Sequence, residues 1–530
     1  MKKIIFLSII PMLLLLSCDE SFLQEKSKSF LSSENLYINT EGFEAALASL
    51  YYNLREDRNG EDAFPAFFTG TDVAYSVFSH NSVVPFQNYG DAITPDIYPV
   101  KFWWDRSYKT ISWANKIIEE AENPDVEWTS ADDKKRIIGE AKFFRAYYHN
   151  LLTTLYGDVP IADKFYSEPK LDFVRSPQKT ILEFVRDDLK YTAENLPADE
   201  PEIGKLTKWA ALHLLSEVYL HLGEYANAET AALQIINSGK FQLMTQRFGV
   251  NAAKEGDVFS DLFLEGNQNR TNGNLESIFV IQQEYGVTGG KTVGTYGGDW
   301  SRRVFVGYYQ SVKGLLITDS LGGRGVGRTR PLTSWVKSYE ANDIRASKFN
   351  LRKHYFYNDS KNVPVGHRLG DMVPYTTALD SQRNIYPSTR KWDFGAQSRG
   401  GDALYLGSDK DRMKYRLAET YLFLAEAQYL QSKKSEAATT LNIIRARSGA
   451  SQISAAKVDM DFILDERSRE LFSEEDRLLT LHRTGKFLER TRKLNWQVAD
   501  KIRDKHALWP IPQTAIDSNL GAELGQNEGY

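Results

Sequence analysis

Residues 208–238, KWAALHLLSEVYLHLGEYANAETAALQIINS, decide the fold of this chain of 530 residues. Apolar residues recur at helical spacing on both sides of Leu222-Gly223-Glu224-Tyr225, which predicts two helices joined by a turn at that glycine. The positions that set the pattern are Leu212, Leu215, Ser216 and Tyr219 in the first half and Ala228 and Ala232 in the second. Because small residues let two helices approach closely, the stretch indicates a tightly packed helical hairpin.

A second stretch, residues 415–447, repeats this arrangement. Its matching positions are Tyr421, Leu424, Ala425, Ala437, Leu441 and Ile444. Both hairpins resemble tetratricopeptide repeats, in which pairs of helices stack on one another. Four more segments carry an amphipathic helical pattern: Glu41–Arg55, Tyr108–Glu122, Arg136–Tyr156 and Pro177–Asn195. We therefore predict a mainly α fold of tetratricopeptide-like helical pairs stacked in a right-handed superhelix, with a set of unrelated hairpins as the alternative.

The centre of the chain, about residues 251–410, is rich in Gly, Asn, Ser and aromatic residues. Its stretches 286–301 and 322–330 are typical of loops, whereas the alternation in Ser277–Gln282 favours a short strand. The earlier residues 60–100 have the same loop-rich character. A long insertion without regular structure is usually functional, so we expect ligand contacts in these two regions.

No linker divides the chain, so one large domain is predicted for residues 18–530. In this domain the helical scaffold takes about residues 35–250 and 411–500, and the loop-rich, ligand-facing insertion takes about residues 251–410.

The N-terminus, MKKIIFLSIIPMLLLLSC in residues 1–18, predicts export from the cytoplasm. Lys2 and Lys3 precede an apolar run that is too short to span a bilayer, which is typical of a signal peptide. Its end, Leu15-Leu16-Ser17-Cys18, resembles the bacterial lipobox. We therefore predict a signal peptide in residues 1–17 and a lipid anchor on Cys18, with an ordinary signal peptide as the alternative. The acidic pair Asp19-Glu20 resembles a surface-export signal of Bacteroidetes lipoproteins.

Composition and motifs exclude several classes of protein. The net charge is −5 and no Lys/Arg-rich stretch is present, so nucleic acid is not an expected partner. The sequence contains no HExxH motif, no phosphate-binding Walker A loop and no GxSxG nucleophile elbow. We therefore predict a protein that is not an enzyme, with no cofactor and no metal at its site, and we leave open whether a structural calcium is bound. A pair of carboxylates for glycoside cleavage is the one catalytic arrangement that sequence leaves open.

Five motifs in order resemble the SusD/RagB-like outer-membrane nutrient-binding lipoproteins of Bacteroidetes. They are residues 140–148 running on to 155–160, residues 416–427, residues 442–449, residues 465–486, and the C-terminal residues 508–513 with 526–530. Leu478-Leu479 and Glu528 depart from the usual pattern of the family. The Arg and Glu residues of these motifs are interpreted as ion pairs that hold the helices together, not as catalytic groups.

The resemblance implies a surface-exposed, lipid-anchored protein that captures oligosaccharide and passes it to a SusC-like TonB-dependent transporter. A binding protein for peptide or another non-glycan nutrient on the same scaffold is the alternative, and a pure scaffold or a glycan-cleaving enzyme are weaker ones. Flat aromatic rings cover the apolar faces of sugars, and polar side chains bond their hydroxyl groups. On that chemistry, the candidate ligand-binding residues in loops are Trp300, Tyr296, Tyr89, Tyr98, Asp299 and Asn88, with Tyr308 and Trp335 as further aromatic candidates.

Overall fold

The computed structural model describes residues 36–285, 287, 298–394 and 407–530. The predicted signal peptide, the lipid anchor Cys18, the acidic pair Asp19-Glu20 and the candidate Tyr296 lie outside these residues. Within the described part of the chain, no helix combines the length and the apolar character needed to cross a membrane.

Most of the regular structure is helical, which confirms the predicted fold class. The α-helices are α1 Thr40–Arg55, α2 Val84–Asn88, α3 Tyr98–Glu120, α4 Ala131–Tyr156, α5 Gln178–Asn195, α6 Lys208–Leu222, α7 Tyr225–Ile236, α8 Val258–Asp261, α9 Ser301–Phe305, α10 Thr333–Val336, α11 Leu417–Leu430, α12 Lys434–Arg447, α13 Met460–Leu471, α14 Arg477–Arg483, α15 Phe487–Leu494 and α16 Gln513–Ser518. Short 3₁₀ turns occupy Glu56–Arg58, Phe64–Phe67, Arg270–Asn272, Tyr309–Ser311, Asp319–Leu321, Ile344–Ala346, Leu379–Ser381, Ala455–Lys457 and Asp504–Ala507.

The hairpin of α6 and α7 forms as its sequence predicts. Gly223 ends α6 with a φ of 79°, a left-handed conformation that glycine adopts without strain, and the chain turns there into α7. Ala228, Ala231 and Ala232 of α7 are buried. Ala228 packs with Leu220 of α6 and with Phe423 and Ala427 of the later helix Leu417–Leu430.

The long helices stack in series, each on the next. Helix α3 packs on α4, α4 on α5, α5 on α6 and α6 on α7, and α7 then packs on α11, which pairs with α12. The scaffold therefore continues from α7 directly to α11, although the whole central insertion separates them in sequence. This order confirms the predicted stack of helical pairs.

A short antiparallel sheet closes the insertion at its base. Strand β2, Ser277–Ile281, pairs with β6, Arg412–Arg416, with Ser277 opposite Arg416. The pairing brings the two ends of the insertion together next to the scaffold. Two further two-stranded sheets lie among the loops: β1 Ala74–Tyr75 with β3 Arg330–Pro331, and β4 Leu351–Arg352 with β5 Ser388–Thr389.

The predicted ion pairs are present and lie in the interior. Glu470 on α13 is fully buried and accepts hydrogen bonds from Arg345, Arg416 and Arg447. Glu466, one helical turn earlier, pairs with Arg345, Arg445 and Arg469 in the same way. These two carboxylates join the scaffold helices α12 and α13 to strand β6 and to Arg345 of the insertion.

One predicted helix boundary is wrong. Helix α3 begins at Tyr98 with Pro99 in its first turn, ten residues before the predicted start at Tyr108. Trp103 and Trp104, which we expected to precede the helix, therefore lie on it and are buried in the main core. Phe67 packs on Trp103 and Tyr156 packs on Trp104.

Candidate functional site

Two loop-rich regions that sequence predicts to face a ligand meet at one surface of the protein. Glu61 accepts a hydrogen bond from Nε of Arg303 at 2.8 Å and a second bond from Arg328, so residues near 60 are tied to residues near 300 and 330. The pairing of β1 with β3 holds the same regions together. We call this surface the loop face, and define it by Glu61, Asp62, Phe78, His80, Tyr98, Arg303, Tyr308, Arg328 and Arg383.

Aromatic rings and guanidinium groups alternate across the loop face. The guanidinium carbons of Arg328 and Arg383 lie 3.9 Å and 4.0 Å from the centre of the Phe78 ring. Arg383 also lies 5.9 Å from the ring centre of Tyr308. Phe78 and Tyr308 are half-buried and Arg383 is exposed. This part of the surface therefore offers partly exposed flat rings beside strong hydrogen-bond donors.

His80 links Phe78 to the acidic side of the loop face. Its Nε2 lies 4.0 Å from an oxygen of Glu61 and 3.8 Å from an oxygen of Asp62, and its Nδ1 lies 2.8 Å from the Ser82 hydroxyl. Burial, together with the positive charge of Arg328, lowers the pKa of His80 below its ordinary value. His80 is therefore neutral at pH 7 and carries no positive charge to this surface.

Tyr98, one of the candidate residues, completes the loop face at the first turn of α3. Its side chain is 52% exposed and its ring packs on Phe102 at 5.6 Å. Partial burial and the nearby Asp62 carboxylate raise the pKa of Tyr98, so the hydroxyl keeps its proton at physiological pH. The expectation that Tyr98 lies in a loop is wrong, because it is the first residue of α3, and its contact with a ligand stays a prediction.

The expectation that Trp300, Tyr89 and Asp299 are accessible in loops is wrong, because all three are buried. Trp300 is 6% exposed, and Arg303 lies over its ring at 5.0 Å. Tyr89 is 3% exposed and is covered by Phe487 and His506 from the C-terminal region. In this structure neither ring offers a face to a ligand.

The polar candidates and the second tryptophan also make structural contacts. Asp299 pairs with Arg412 at 3.0 Å and accepts a hydrogen bond from the backbone N–H of Ser301. Asn88 is exposed, but its amide donates to the Val84 carbonyl within its own helix turn. Trp335 is buried and stacks on Phe472 at 4.0 Å. Asp299 and Trp335 are therefore used in structural contacts, and Asn88 is exposed but uses its amide group within its own helix.

Sequence reasoning missed Phe78, His80, Arg328 and Arg383 as members of this surface. The first two lie within the loop-rich residues 60–100, so their position in a loop was visible in the sequence. Nothing in the sequence brings Arg383 to Phe78, because the contact depends on how the insertion folds back over β1. Tyr308 was among the further aromatic candidates, and it lies on the loop face.

Close backbone contact fixes the part of the loop face that carries Tyr308. A Cβ atom on Gly325 would lie 2.4 Å from the carbonyl oxygen of Gly307 and 2.5 Å from that of Val306. Only glycine lets the segment 324–327 approach residues 306–307 so closely. Tyr308 and Arg328, which flank these glycines, are therefore held in fixed relative positions.

A second recess lies on the flank of the scaffold. This groove has a volume of about 630 Å³ and runs between α3, the loop 160–173 and the C-terminal segment around α16. Its wall carries four aromatic side chains, Trp104, Tyr108, Tyr166 and Phe173. Lys170 lies within 5.8 Å of the Tyr166 ring and 5.3 Å of the Phe173 ring. The groove is therefore the competing location for a ligand.

Among the described residues, no group of three or more His, Cys, Asp or Glu side chains is arranged to hold a metal ion.

Comparison with known proteins supports one family throughout. Residues 21–220 match a family model described as "Starch-binding associating with outer membrane", and residues 276–530 match the SusD family model. SusD-like protein P25 of Formosa agariphila is 25% identical over 97% of this chain and 97% of its own length. SusD-like protein P38 of the same organism is 24% identical over 100% of this chain and 99% of its own length.

Solved structures share the fold at low sequence identity. A "Laminarin binding SusD-like protein" superposes with a TM-score of 0.70 at 21% identity, covering 93% of this chain and 100% of that structure. A structure described with a xylogluco-oligosaccharide superposes with a TM-score of 0.67 at 18% identity, covering 92% of this chain and 100% of that structure. The two family models, which together match most of the chain, and the full-length relatives show that this chain belongs to the SusD/RagB-like family.

Proposed function

We propose that this protein binds glycan on the loop face and does not cleave it. The observation that carries the proposal is the row of partly exposed rings, Phe78, Tyr308 and Tyr98, set among charged side chains on one surface. Rings of this kind cover the apolar faces of sugars, and the neighbouring guanidinium and carboxylate groups bond hydroxyl groups. The laminarin-binding and xylogluco-oligosaccharide structures among the fold neighbours support a carbohydrate ligand.

Alanine variants of the two candidate locations distinguish them. Tyr308→Ala and Phe78→Ala are expected to weaken glycan binding at least fivefold. The first removes a partly exposed ring, and the second removes the ring on which the guanidinium of Arg383 stacks. Tyr166→Ala in the flank groove is the matched control and should leave affinity unchanged. The measurement is isothermal titration of the purified protein with laminarin, xyloglucan, pectin and carrageenan oligosaccharides, with melting temperatures to confirm folding.

Two results would contradict this part of the proposal. Loss of binding in Tyr166→Ala, with Tyr308→Ala unaffected, would move the site to the groove. Release of new reducing ends when the protein is incubated with the same glycans would show cleavage and overturn the non-catalytic assignment.

We further propose that the protein is anchored at the outer-membrane surface by lipid on Cys18 and delivers its ligand to a SusC-like TonB-dependent transporter. No described helix spans a membrane, so a lipid is what would hold the helical body near a transporter. Cys18→Ala is expected to move the protein from the membrane fraction to the soluble fraction. The unaltered protein, extracted from membranes in mild detergent, should co-purify with a TonB-dependent transporter. Retention of Cys18→Ala in the membrane would exclude the lipid as the anchor.

A further inference from the structure

The loop face carries more guanidinium groups than carboxylates that pair with them. Three guanidinium groups, Arg303, Arg328 and Arg383, lie on this surface. Glu61 is the carboxylate that pairs with two of them, Arg303 and Arg328. The side chain of Asp62 is 66% exposed, and the group that it contacts is His80, not one of these arginines. One guanidinium therefore has no carboxylate of its own.

Arg383 is that guanidinium. Its side chain is exposed and stacks on Phe78 at 4.0 Å and near Tyr308 at 5.9 Å. Among the residues that the structure describes, it forms no ion pair and donates no hydrogen bond. A guanidinium that uses its flat face on an aromatic ring keeps the N–H groups along its edge available, and those groups match a carboxylate or sulfate with two parallel bonds.

Arg328 adds a second positive group at the same ring. Its guanidinium carbon lies 3.9 Å from the centre of the Phe78 ring, so it is no more than about 8 Å from that of Arg383. Its Nη2 donates to Glu61, whereas its Nε and Nη1 donate to no group in the described part of the chain. Arg328 is buried, so it does not bind a ligand anion itself. Its charge repels that of Arg383, and an anion bound to the exposed Arg383 relieves that repulsion.

Together these contacts point to the chemical class of the ligand. Resting on the proposed glycan-binding function, we infer that the loop face is built for a sugar that carries an anionic substituent, a carboxylate or a sulfate, and that Arg383 contacts this group. The partly exposed ring of Tyr308 then holds the sugar ring, and Phe78 supports the guanidinium of Arg383, which selects for charge. A neutral glycan would contact the aromatic rings but would leave Arg383 without an anionic partner.

Matched pairs of glycans test the inference and separate the two anionic groups. Oligogalacturonate is compared with its methyl ester for the carboxylate, and a carrageenan oligosaccharide with its desulfated form for the sulfate. The full-length purified protein is expected to bind the charged member of at least one pair tenfold or more tightly than its neutral partner at low salt. The preference should shrink as sodium chloride is added, because salt screens the charges.

Variants at Arg383 complete the test. Arg383→Gln should lose at least tenfold in affinity for the charged glycan, and Arg383→Lys should recover only part of it, because lysine keeps the charge but not the planar fork. Arg492→Gln is the matched control: this exposed arginine pairs with Asp504 away from the loop face and should leave binding unchanged. Arg383 is exposed, so melting temperatures of its variants should match that of the unaltered protein.

The outcomes are separable from those of the proposed function. Equal or tighter binding of the neutral glycans, or an unchanged affinity in Arg383→Gln, would overturn the inference while glycan binding itself stands. Failure of both charged glycans to bind also overturns it. If the neutral glycans also fail to bind, the proposed glycan-binding function is overturned as well.

Discussion

Replacing Glu470 with alanine is expected to lower the free energy of unfolding by about 3–5 kcal/mol, because breaking a buried ion pair from one side leaves uncompensated charges in the interior. Glu470 is fully buried on α13. It accepts hydrogen bonds from Arg416 at 2.6 Å, from Arg345 at 3.1 Å and from Arg447. Burial alone would raise the pKa of Glu470, but these three guanidinium groups together hold it well below its usual range. The carboxylate is therefore charged whenever the protein is folded at neutral pH.

The three arginines explain why this one side chain matters so much. Arg416 lies on β6 at the base of the insertion, Arg447 lies at the end of α12, and Arg345 lies inside the insertion. Without Glu470, Arg416 keeps Glu276 and Glu474, Arg447 keeps Glu276, and Arg345 keeps Asp343 and Glu466. The variant would thus remove one negative charge from a buried network where scaffold and insertion meet.

Denaturation in urea at pH 7 measures the change in free energy. The matched control is Glu255→Ala, which breaks an exposed pair with Lys348 whose two side chains are 81% and 72% exposed. Surface pairs of this kind contribute little, so the control should unfold like the unaltered protein. A loss below about 1 kcal/mol in Glu470→Ala would show that the network is not a main source of stability.

The helical scaffold was largely predictable because its signals are local. In α6 and α7 the apolar spacing, the small residues and Gly223 all belong to one continuous stretch, and the observed ends agree with those expected. The start of α3 was missed because Phe102, Trp103 and Trp104 are consecutive aromatic residues that hide the helical period. Pro99 in the first turn was the signal that would have placed the start correctly.

The candidate site was less predictable because exposure is a property of the tertiary structure. Tyr89 stands in a loop-rich stretch, yet residues near the C-terminus cover it. Trp300 lies under Arg303 for a similar reason. Sequence correctly predicted that these two regions are rich in loops, and their contact with a ligand stays a prediction. It could not show which side chains those regions turn outward. The contact between Arg383 and Phe78 depends on chain segments that no local pattern connects.

Lowering the pH from 7 to 4 is expected to reduce the free energy of unfolding by at least about 3 kcal/mol, because buried histidines must stay neutral in the folded state. His149 on α4 is fully buried, and burial lowers its pKa to about 4. Burial likewise lowers the pKa of His482 to about 4 and that of His221 to about 3. In the unfolded chain a histidine has a pKa near 6.5.

The direction in which the free energy of unfolding changes with pH follows from which state binds more protons. Between pH 6.5 and 4 the unfolded chain takes up protons on these histidines and the folded protein does not, so stability is fully present above pH 6.5 and falls as the pH decreases. Asp411 acts in the opposite direction, because burial raises its pKa to about 6, and burial also raises the pKa of Glu140, Glu200 and Glu217. His506, whose pKa burial lowers to about 4, adds to the effect of the other histidines. Below about pH 4.3 the buried glutamates take over: Arg345 and its neighbours hold the pKa of Glu466 at about 2 against burial.

Two separate phases of acid destabilisation are therefore expected. The first comes from the histidines, and the second, at lower pH, comes from the paired carboxylates. Urea denaturation at pH 7, 5.5, 4.5 and 3.5 would resolve them as two slopes of stability against pH. His149→Gln should make the first slope shallower, because the glutamine side chain binds no proton, while His482 and His221 keep the rest of that slope and the second slope remains. An unchanged first slope in that variant would mean that His149 is protonated in the folded protein, against the burial and the hydrogen bonds that surround it.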